Sequence, residues 1–369
     1  MPFEMNSNKI YLPVKINDQG PVWFILDTGS VFNVIDNDRA ESLKIAHTGN
    51  TPVRGAGDGS VPSSIAHNVT LALDGARMPS SDVAVMPINH VISASEGRTV
   101  NGLLGCPVFS RFVVEIDYAA RQVSFIDPAK FNFPQKSETV PLEVERGNIF
   151  VTATVTLSNG HSVEGKFLVD TGWRSALTFN TPFCHAQALP GSTPTISATS
   201  GVGIGGPVMS RIGRITALQL GGYRMENPFV EFSEANYGIL AESGMAGIIG
   251  AEVLRRFTVI FDYHGRRMML ERNAHFDEAY NFDMSGIYVT AEGKDHNVFR
   301  AFKIIAKSPA SDAGIREGDL IEAIDHTPAS SFTLEKIRQM FRQEGRDYDL
   351  AVRRGSELLP VRISLRRLI

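Results

Sequence analysis

Apolar and polar residues alternate with a period of two along much of the chain, in runs such as VTLAL and RQVSFI. That period turns one side of a segment to a core and the other to water, so these runs predict half-buried strands. KIYLPVKI near the start predicts another strand. Two short, wholly apolar stretches, Trp23-Phe24-Ile25-Leu26 and Phe167-Leu168-Val169, predict buried strands. Toward the C-terminus the pattern becomes that of an amphipathic helix in TLEKIRQMFRQ, and then of paired strands in YDLAVRR and LLPVRISL.

Each of the two wholly apolar stretches runs into the same tripeptide, Asp27-Thr28-Gly29 and Asp170-Thr171-Gly172. Gly102-Leu103-Leu104-Gly105 follows the first, 75 residues beyond Asp27, and Gly247-Ile248-Ile249-Gly250 follows the second, 77 residues beyond Asp170. A longer matched segment comes next, CPVFSRFVVEIDYAARQVSFID in the first copy and AEVLRRFTVIFDYHGRRMMLER in the second. A repeat of this length is a duplication and sets the fold reading. Between tripeptide and Gly-apolar-apolar-Gly each half carries a glycine cluster: Gly55, Gly57 and Gly59 around Asp58, then Gly201, Gly203, Gly205 and Gly206. Glycines in strand-rich sequence mark hairpin tips and close backbone approach, so the clusters predict two flaps over a cleft.

A carboxylate placed just after a buried strand, on a tight Thr-Gly turn, is a candidate acid or base. Two of them on two similar halves are a candidate dyad, because adjacent carboxylates cannot both ionise and therefore share a proton. Asp27 and Asp170 are the candidate catalytic residues. Asp117 and Asp262 sit in DYAARQ and DYHGRR, which predict hairpin turns.

At this point each half resembles a retropepsin-like aspartic protease domain, and the doubled motif over roughly residues 8–272 resembles a single-chain, pepsin-like pair of lobes. The resemblance implies a mainly β chain with two β-barrel lobes related by a pseudo-two-fold, and an extended protein or peptide substrate under the flaps. It implies that Thr28 and Thr171 hydrogen-bond across the lobe interface, and that Gly29 and Gly172 let backbone amides approach the carboxylates. Ser30 matches the family's small or hydroxyl residue after the tripeptide, where a hydroxyl supports the carboxylate. Trp173 in the second lobe departs from it, which keeps open a weak or inactive peptide-binding scaffold as the alternative reading. The expected lobes are residues 1–135 and 136–275, joined by the polar linker PQKSETVP.

Beyond a second polar connector, NAHFDEAYNFD, residues 283–369 are a third unit. Its strings SPASDAG and GDLIEAI resemble a small α+β PDZ domain of bacterial type. That resemblance implies capture of a C-terminal or extended peptide by strand addition. Ser285, Gly286, Ile287 and Tyr288 fall where its carboxylate-binding loop belongs.

Composition removes other classes. A net charge of −4 and the lack of a basic block give no reason to expect nucleic acid. No apolar run is long enough for a membrane-spanning helix. The histidines show no metal-ligand spacing, so no metal or other cofactor is expected. Gly201 to Gly206 formally fits a dinucleotide fingerprint, but no helical pattern follows it. Cys106 and Cys184 occupy unrelated places in the repeats and are expected to be free thiols. No leader is visible before the first strand; the expectation is an exported, periplasmic protein starting at its mature boundary, with a cytoplasmic one as the alternative.

Overall fold

The computed structural model describes residues 1–134 and 136–369, so Gln135 of the expected linker lies outside the described residues. The chain is mainly β. Its first half forms a ten-stranded sheet in the order His47–Val53, Val61–Val69, Ser81–Met86, Val34–Asp36, Gly102–Leu104, Gln19–Leu26, Lys9–Ile16, Leu71–Leu73, Ala76–Arg77, with Glu4–Asn6 paired to Lys9–Ile16. The second half repeats it: Thr195–Gly203, Gly206–Arg214, Phe229–Ser233, Leu177–Phe179, Gly247–Gly250, Ser162–Asp170, Asn148–Thr156, Ala217–Leu220, Tyr223–Glu226, with Glu143–Glu145 paired to Asn148–Thr156. The two orders correspond strand for strand. The duplication read from the sequence is therefore a duplication of topology.

In each half the Gly-apolar-apolar-Gly segment is a central strand. Gly102–Leu104 runs parallel to the strand that ends at Leu26 and antiparallel to Val34–Asp36. Gly247–Gly250 runs parallel to Ser162–Asp170 and antiparallel to Leu177–Phe179. Both tripeptides thus leave the middle of a buried sheet, where the backbone is most constrained.

A five-stranded sheet ties the halves together, in the order Gln122–Ile126, Val113–Asp117, Phe257–Asp262, Arg267–Arg272, Glu138–Pro141. Val114 lies opposite Phe261 and Ile116 opposite Val259, so the two matched hairpins meet edge to edge. Asp117 and Asp262 close those hairpins by accepting from the amides of Ala120 and Gly265, each at 2.8 Å. Glu138–Pro141, read as part of a linker, is a strand of this sheet; its polar residues suit an edge position. One apolar cluster runs through both lobes, with Phe24 and Phe109 from the first and Phe167 and Phe261 from the second. Cys106 and Cys184 are both unpaired.

The C-terminal segment forms a separate six-stranded sheet with the short helices Pro309–Asp312 and Leu334–Met340. It has its own core, including Val289, Phe299, Ile321, Ile337 and Val352. The connector before it is polar in composition yet firmly held. Arg256 is fully buried and donates to the carbonyls of His275 and Phe276. Its guanidinium lies 3.6 Å from the centre of the Tyr280 ring. Phe276 packs on Phe257 and Tyr223.

The same unit leans on the first lobe. Helix Ile88–Glu96 packs against its edge strand Ile287–Glu292. Arg338 donates to the Ser7 hydroxyl at 2.8 Å and to the Ser95 carbonyl at 2.7 Å, and Glu335 accepts from the Ser7 amide at 3.0 Å. Among the described residues, no helix is long and apolar enough to cross a membrane.

Candidate active site

Asp27 follows directly on its strand, with its amide bonded to the Leu104 carbonyl at 2.9 Å, and Asp170 pairs in register with Gly250. The turns they open interlock. The Thr28 amide donates to the Thr171 hydroxyl and the Thr171 amide to the Thr28 hydroxyl, both at 3.0 Å. Each hydroxyl then donates to the opposite strand, Thr28 to the Val169 carbonyl at 2.7 Å and Thr171 to the Leu26 carbonyl at 2.8 Å. Both threonines are completely buried, so these four bonds have no water to compete with them.

The grip brings the two carboxyls together. The amide of Gly29 donates to Asp27 Oδ1 at 2.9 Å and that of Gly172 to Asp170 Oδ1 at 2.8 Å. A Cβ on Gly29 would stand 2.4 Å from Asp170 Oδ2, and one on Gly172 would stand 2.6 Å from Asp27 Cγ. Glycine is required here for space: each lobe leaves room for the carboxyl of the other. The two carboxyls lie within hydrogen-bond reach. Burial raises both above the usual carboxylate range, and the charge of Asp27 pushes Asp170 up further. The hydrogen bond from Asp170 and the amides of Gly29 and Ser30 partly relieve Asp27. The arrangement favours one proton shared by the pair, as expected for carboxylates that cannot ionise together.

The residues after the tripeptides behave otherwise than the resemblance implied. Ser30 turns its hydroxyl to the Phe32 carbonyl at 2.8 Å, leaving Asp27 to backbone amides. Trp173 donates its indole N–H to Thr178 Oγ1 at 2.8 Å, and Thr178 in turn donates to the buried Glu231 at 2.7 Å. Neither lobe uses a hydroxyl here, so Trp173 removes no bond from Asp170. It forms a wall of the cleft instead.

The glycine clusters are the tips of hairpins that meet over that cleft. Gly57 donates its amide to the Ile204 carbonyl and Gly59 to the Gly205 carbonyl, each at 2.9 Å. Gly55 accepts from the amide of Ile239, and Asp58 accepts from the amides of Asn236 and Tyr237. Gly201 and Gly203 end one flap strand and Gly206 opens the next. Beneath lies a cavity of about 630 Å³ containing Asp27 and Asp170, with walls including Ile25, Phe32, Met86, Trp173 and Ile248. Such a space suits apolar side chains of an extended peptide.

Other groups at the cleft were not signalled by any motif. Lys9 pairs with Glu96 at 2.8 Å, and Tyr11 donates to the same carboxylate at 2.7 Å. Burial opposes ionisation of Glu96, but Lys9, the Tyr11 hydroxyl and Arg338 together outweigh it and hold the carboxyl below its usual range. Arg174, four residues beyond Asp170, also lines the cavity. In the C-terminal loop, the Gly286 amide is bonded to Asp283 and the Ile287 amide to the Ser285 hydroxyl at 3.0 Å. Two of the amides expected to hold a ligand's carboxylate are thus already engaged within the loop. Tyr288 faces the lobes, with its ring 5.1 Å from the Arg174 guanidinium.

A search of the curated proteins finds no relative of the chain. The sequence pattern of a known family does match it, over residues 12–108 and again over 151–253. Each match takes in one tripeptide and one Gly-apolar-apolar-Gly strand, and together they cover more than half of the sequence. The interlocked tripeptides, the paired carboxyls and this doubled match lead to one conclusion: the chain belongs to the aspartyl protease family.

Proposed function

We propose that this chain is an aspartic endopeptidase that hydrolyses peptide bonds of extended substrates with a water activated by Asp27 and Asp170. The observation that carries this reading is reciprocal space: Gly29 makes room for Asp170 and Gly172 for Asp27. In this reading the ionised carboxyl takes a proton from water as it attacks the scissile carbonyl. The protonated carboxyl hydrogen-bonds the carbonyl oxygen and stabilises the tetrahedral intermediate. A proton then passes to the leaving amine, the C–N bond breaks, and the pair again holds one proton. The closed flaps exclude bulk water and strengthen each of these interactions.

We read the C-terminal unit as a PDZ-like domain that regulates access to the cleft. Its edge strand Ile287–Glu292 is packed against helix Ile88–Glu96, and Ile88, Ile92, Ser95 and Glu96 of that helix line the cleft. A peptide adding to that edge would compete with the helix and so disturb the cleft wall.

The test is hydrolysis of a peptide library at several pH values by the unmodified chain, Asp27→Asn and Asp170→Asn. Both variants are expected to lose turnover, each by about as much as the double variant, since groups acting as a unit are not additive. Near-normal turnover in either single variant would overturn the dyad.

A further inference from the structure

The cleft does not end at its apolar walls. Arg174, Ser175 and Ser200 line both it and an adjoining chamber of about 310 Å³ between the second lobe and the C-terminal unit. Arg174, Tyr288, Lys303, Arg338 and Arg342 all face this chamber. The Tyr288 ring stands between two guanidiniums, 5.1 Å from that of Arg174 and 5.9 Å from that of Arg338. Its hydroxyl is sealed from solvent, lies beside the Arg174 guanidinium and makes no well-formed hydrogen bond among the described residues.

Neither guanidinium is paired with a carboxylate among the described residues. Arg174 donates to the Ser200 carbonyl, and Arg338 donates to the Ser7 hydroxyl and to the carbonyls of Ser95 and Val289. The carboxylates nearby are committed elsewhere. Glu96 holds Lys9, Glu335 holds the Ser7 amide, and Glu231 accepts from Ser175 and Thr178. Burial pushes the Glu231 carboxyl up although Arg174 draws it the other way, so it is only a partial counter-charge for that guanidinium. Among the described residues, Lys303 alone of the chamber's cations pairs with a carboxylate, Glu317 at 2.9 Å. Burial and the charge of Arg174 bring Arg338 down to about 10. Against the cost of burial, Tyr288, Glu96 and Glu231 hold the Arg174 guanidinium in its charged form, whereas Arg338 is under-compensated. An anion between the two would relieve their repulsion and give the Tyr288 hydroxyl an acceptor.

We propose that Arg174, Arg338 and Tyr288 form a carboxylate-binding site at one end of the cleft, which anchors the charged end of a peptide whose scissile bond lies at the dyad. This rests on the endopeptidase reading and adds where on a substrate it acts. The C-terminal unit stands at this end of the cleft, with Arg338 bound to Ser95 beside Glu96. A peptide running from the dyad toward Arg174 therefore meets a pair of cations. The planar, permanently charged guanidinium fork suits a carboxylate, and the tyrosine hydroxyl can donate a third bond. The α-carboxylate of a chain end and the side chain of an acidic residue share this chemistry.

Binding can be measured without turnover, on Asp27→Asn, by calorimetry with three N-acetylated apolar hexapeptides of one sequence. One has a free C-terminus, one is amidated, and one is amidated but ends in glutamate. The free acid is expected to bind at least about 10-fold tighter than the plain amide, as for a charge-assisted pair. Recovery of affinity by the glutamate peptide would keep the site and assign it to side chains; no recovery would assign it to chain ends. Equal binding of all three peptides would overturn the site whatever the dyad does. Arg338→Gln and Arg174→Gln are each expected to reduce the acid-to-amide ratio toward one. Because the first comparison needs neither variant, a folding defect in them cannot rescue the idea. Hydrolysis by the unmodified chain, tested separately, judges the endopeptidase reading.

Discussion

Thr28 and Thr171 hold each other by a reciprocal pair of bonds, each hydroxyl accepting the other's amide at 3.0 Å. The two lobes are thereby locked at the point where the carboxyls must meet. Thr28→Ala leaves the Thr171 amide and one acceptor on Val169 buried without a partner, a loss of about 1–3 kcal/mol. Thr171→Ala should lose a similar amount. Each change removes a different two of the four bonds but loosens the turn that the remaining two depend on, so the double variant should lose less than the two added. Denaturant unfolding of the three variants checks this; strictly additive losses would mean that the threonines act independently.

The proton on the dyad should be visible in stability as well as in rate. Both carboxyls are raised, Asp170 most, by burial and by the facing charge of Asp27, with Lys9 the nearby cation that moderates it. A raised carboxyl binds its proton more tightly in the folded chain. Its stabilising contribution is complete below the unfolded value, near 4, and is lost as pH rises through the folded value. Asp170→Asn removes the group that must be neutralised. Its melting temperature relative to the unmodified chain should therefore rise from pH 4 to pH 7. A difference independent of pH would argue against a raised, shared titration. Activity should fall on the alkaline side as the shared proton leaves and on the acid side as the second carboxyl protonates.

Much of this was legible from local pattern, because duplication prints each local signal twice. The strands before the tripeptides, the central Gly-apolar-apolar-Gly strands and the glycine flaps all follow from spacing and residue type. What was hidden is what the two copies do not share. Arg111 and Arg256 occupy matching places in the repeated segment, yet Arg111 is exposed and Arg256 is fully buried under the connector. Glu252, four residues before it, is a local partner at 3.0 Å, but nothing nearby announces the burial, since the other acceptors are backbone carbonyls some twenty residues away. Arg174, Tyr288 and Arg338 likewise come together only through packing of the C-terminal unit. Hydroxyl residues were misleading too: Ser30 has the expected type, but its hydroxyl bonds the Phe32 carbonyl.

The flap tips give a cleaner kinetic test. A Cβ on Gly57 would come 2.4 Å from the Gly205 carbonyl carbon, so Gly57→Ala must push the tips apart. The bonds from Gly57 and Gly59 to the opposite flap should then fail, and the roof should no longer position substrate. Misplacement on the scale of an ångström lowers catalysis by about 10²-fold, so kcat/KM should drop on that order. Melting temperature should change little, because the tips lie outside the main core. A large thermal loss with unchanged kinetics would assign the tips to stability instead.

Truncation separates the connector from the unit that it carries. The composition of NAHFDEAYNFD predicts a dispensable tether, and cutting after Asn273 would then leave sound lobes. The packing predicts the opposite. That cut removes Phe276 and Tyr280 from the main core and takes away the carbonyls and the ring that hold Arg256. Arg256 keeps Glu252 at 3.0 Å, but its remaining buried N–H groups lose their acceptors, which is expected to destabilise the second lobe by about 1–3 kcal/mol beyond the lost core contacts. Cutting after Phe282 keeps them, and also keeps the contact of Phe282 with Phe229. It still removes Ile369, whose carbonyl accepts from Arg214 at 3.3 Å, and the contacts of Arg338 and Glu335 with Ser7 and Ser95, so a smaller loss remains. Purified protein cut after Phe282 should melt cooperatively within a few degrees of the full chain; protein cut after Asn273 should melt far lower or aggregate. Equal stability of the two would show that Arg256 is not held by the connector. The longer piece also lacks Arg338 and Tyr288. Its binding should therefore no longer distinguish a free-acid peptide from its amide, whereas the full chain should prefer the acid.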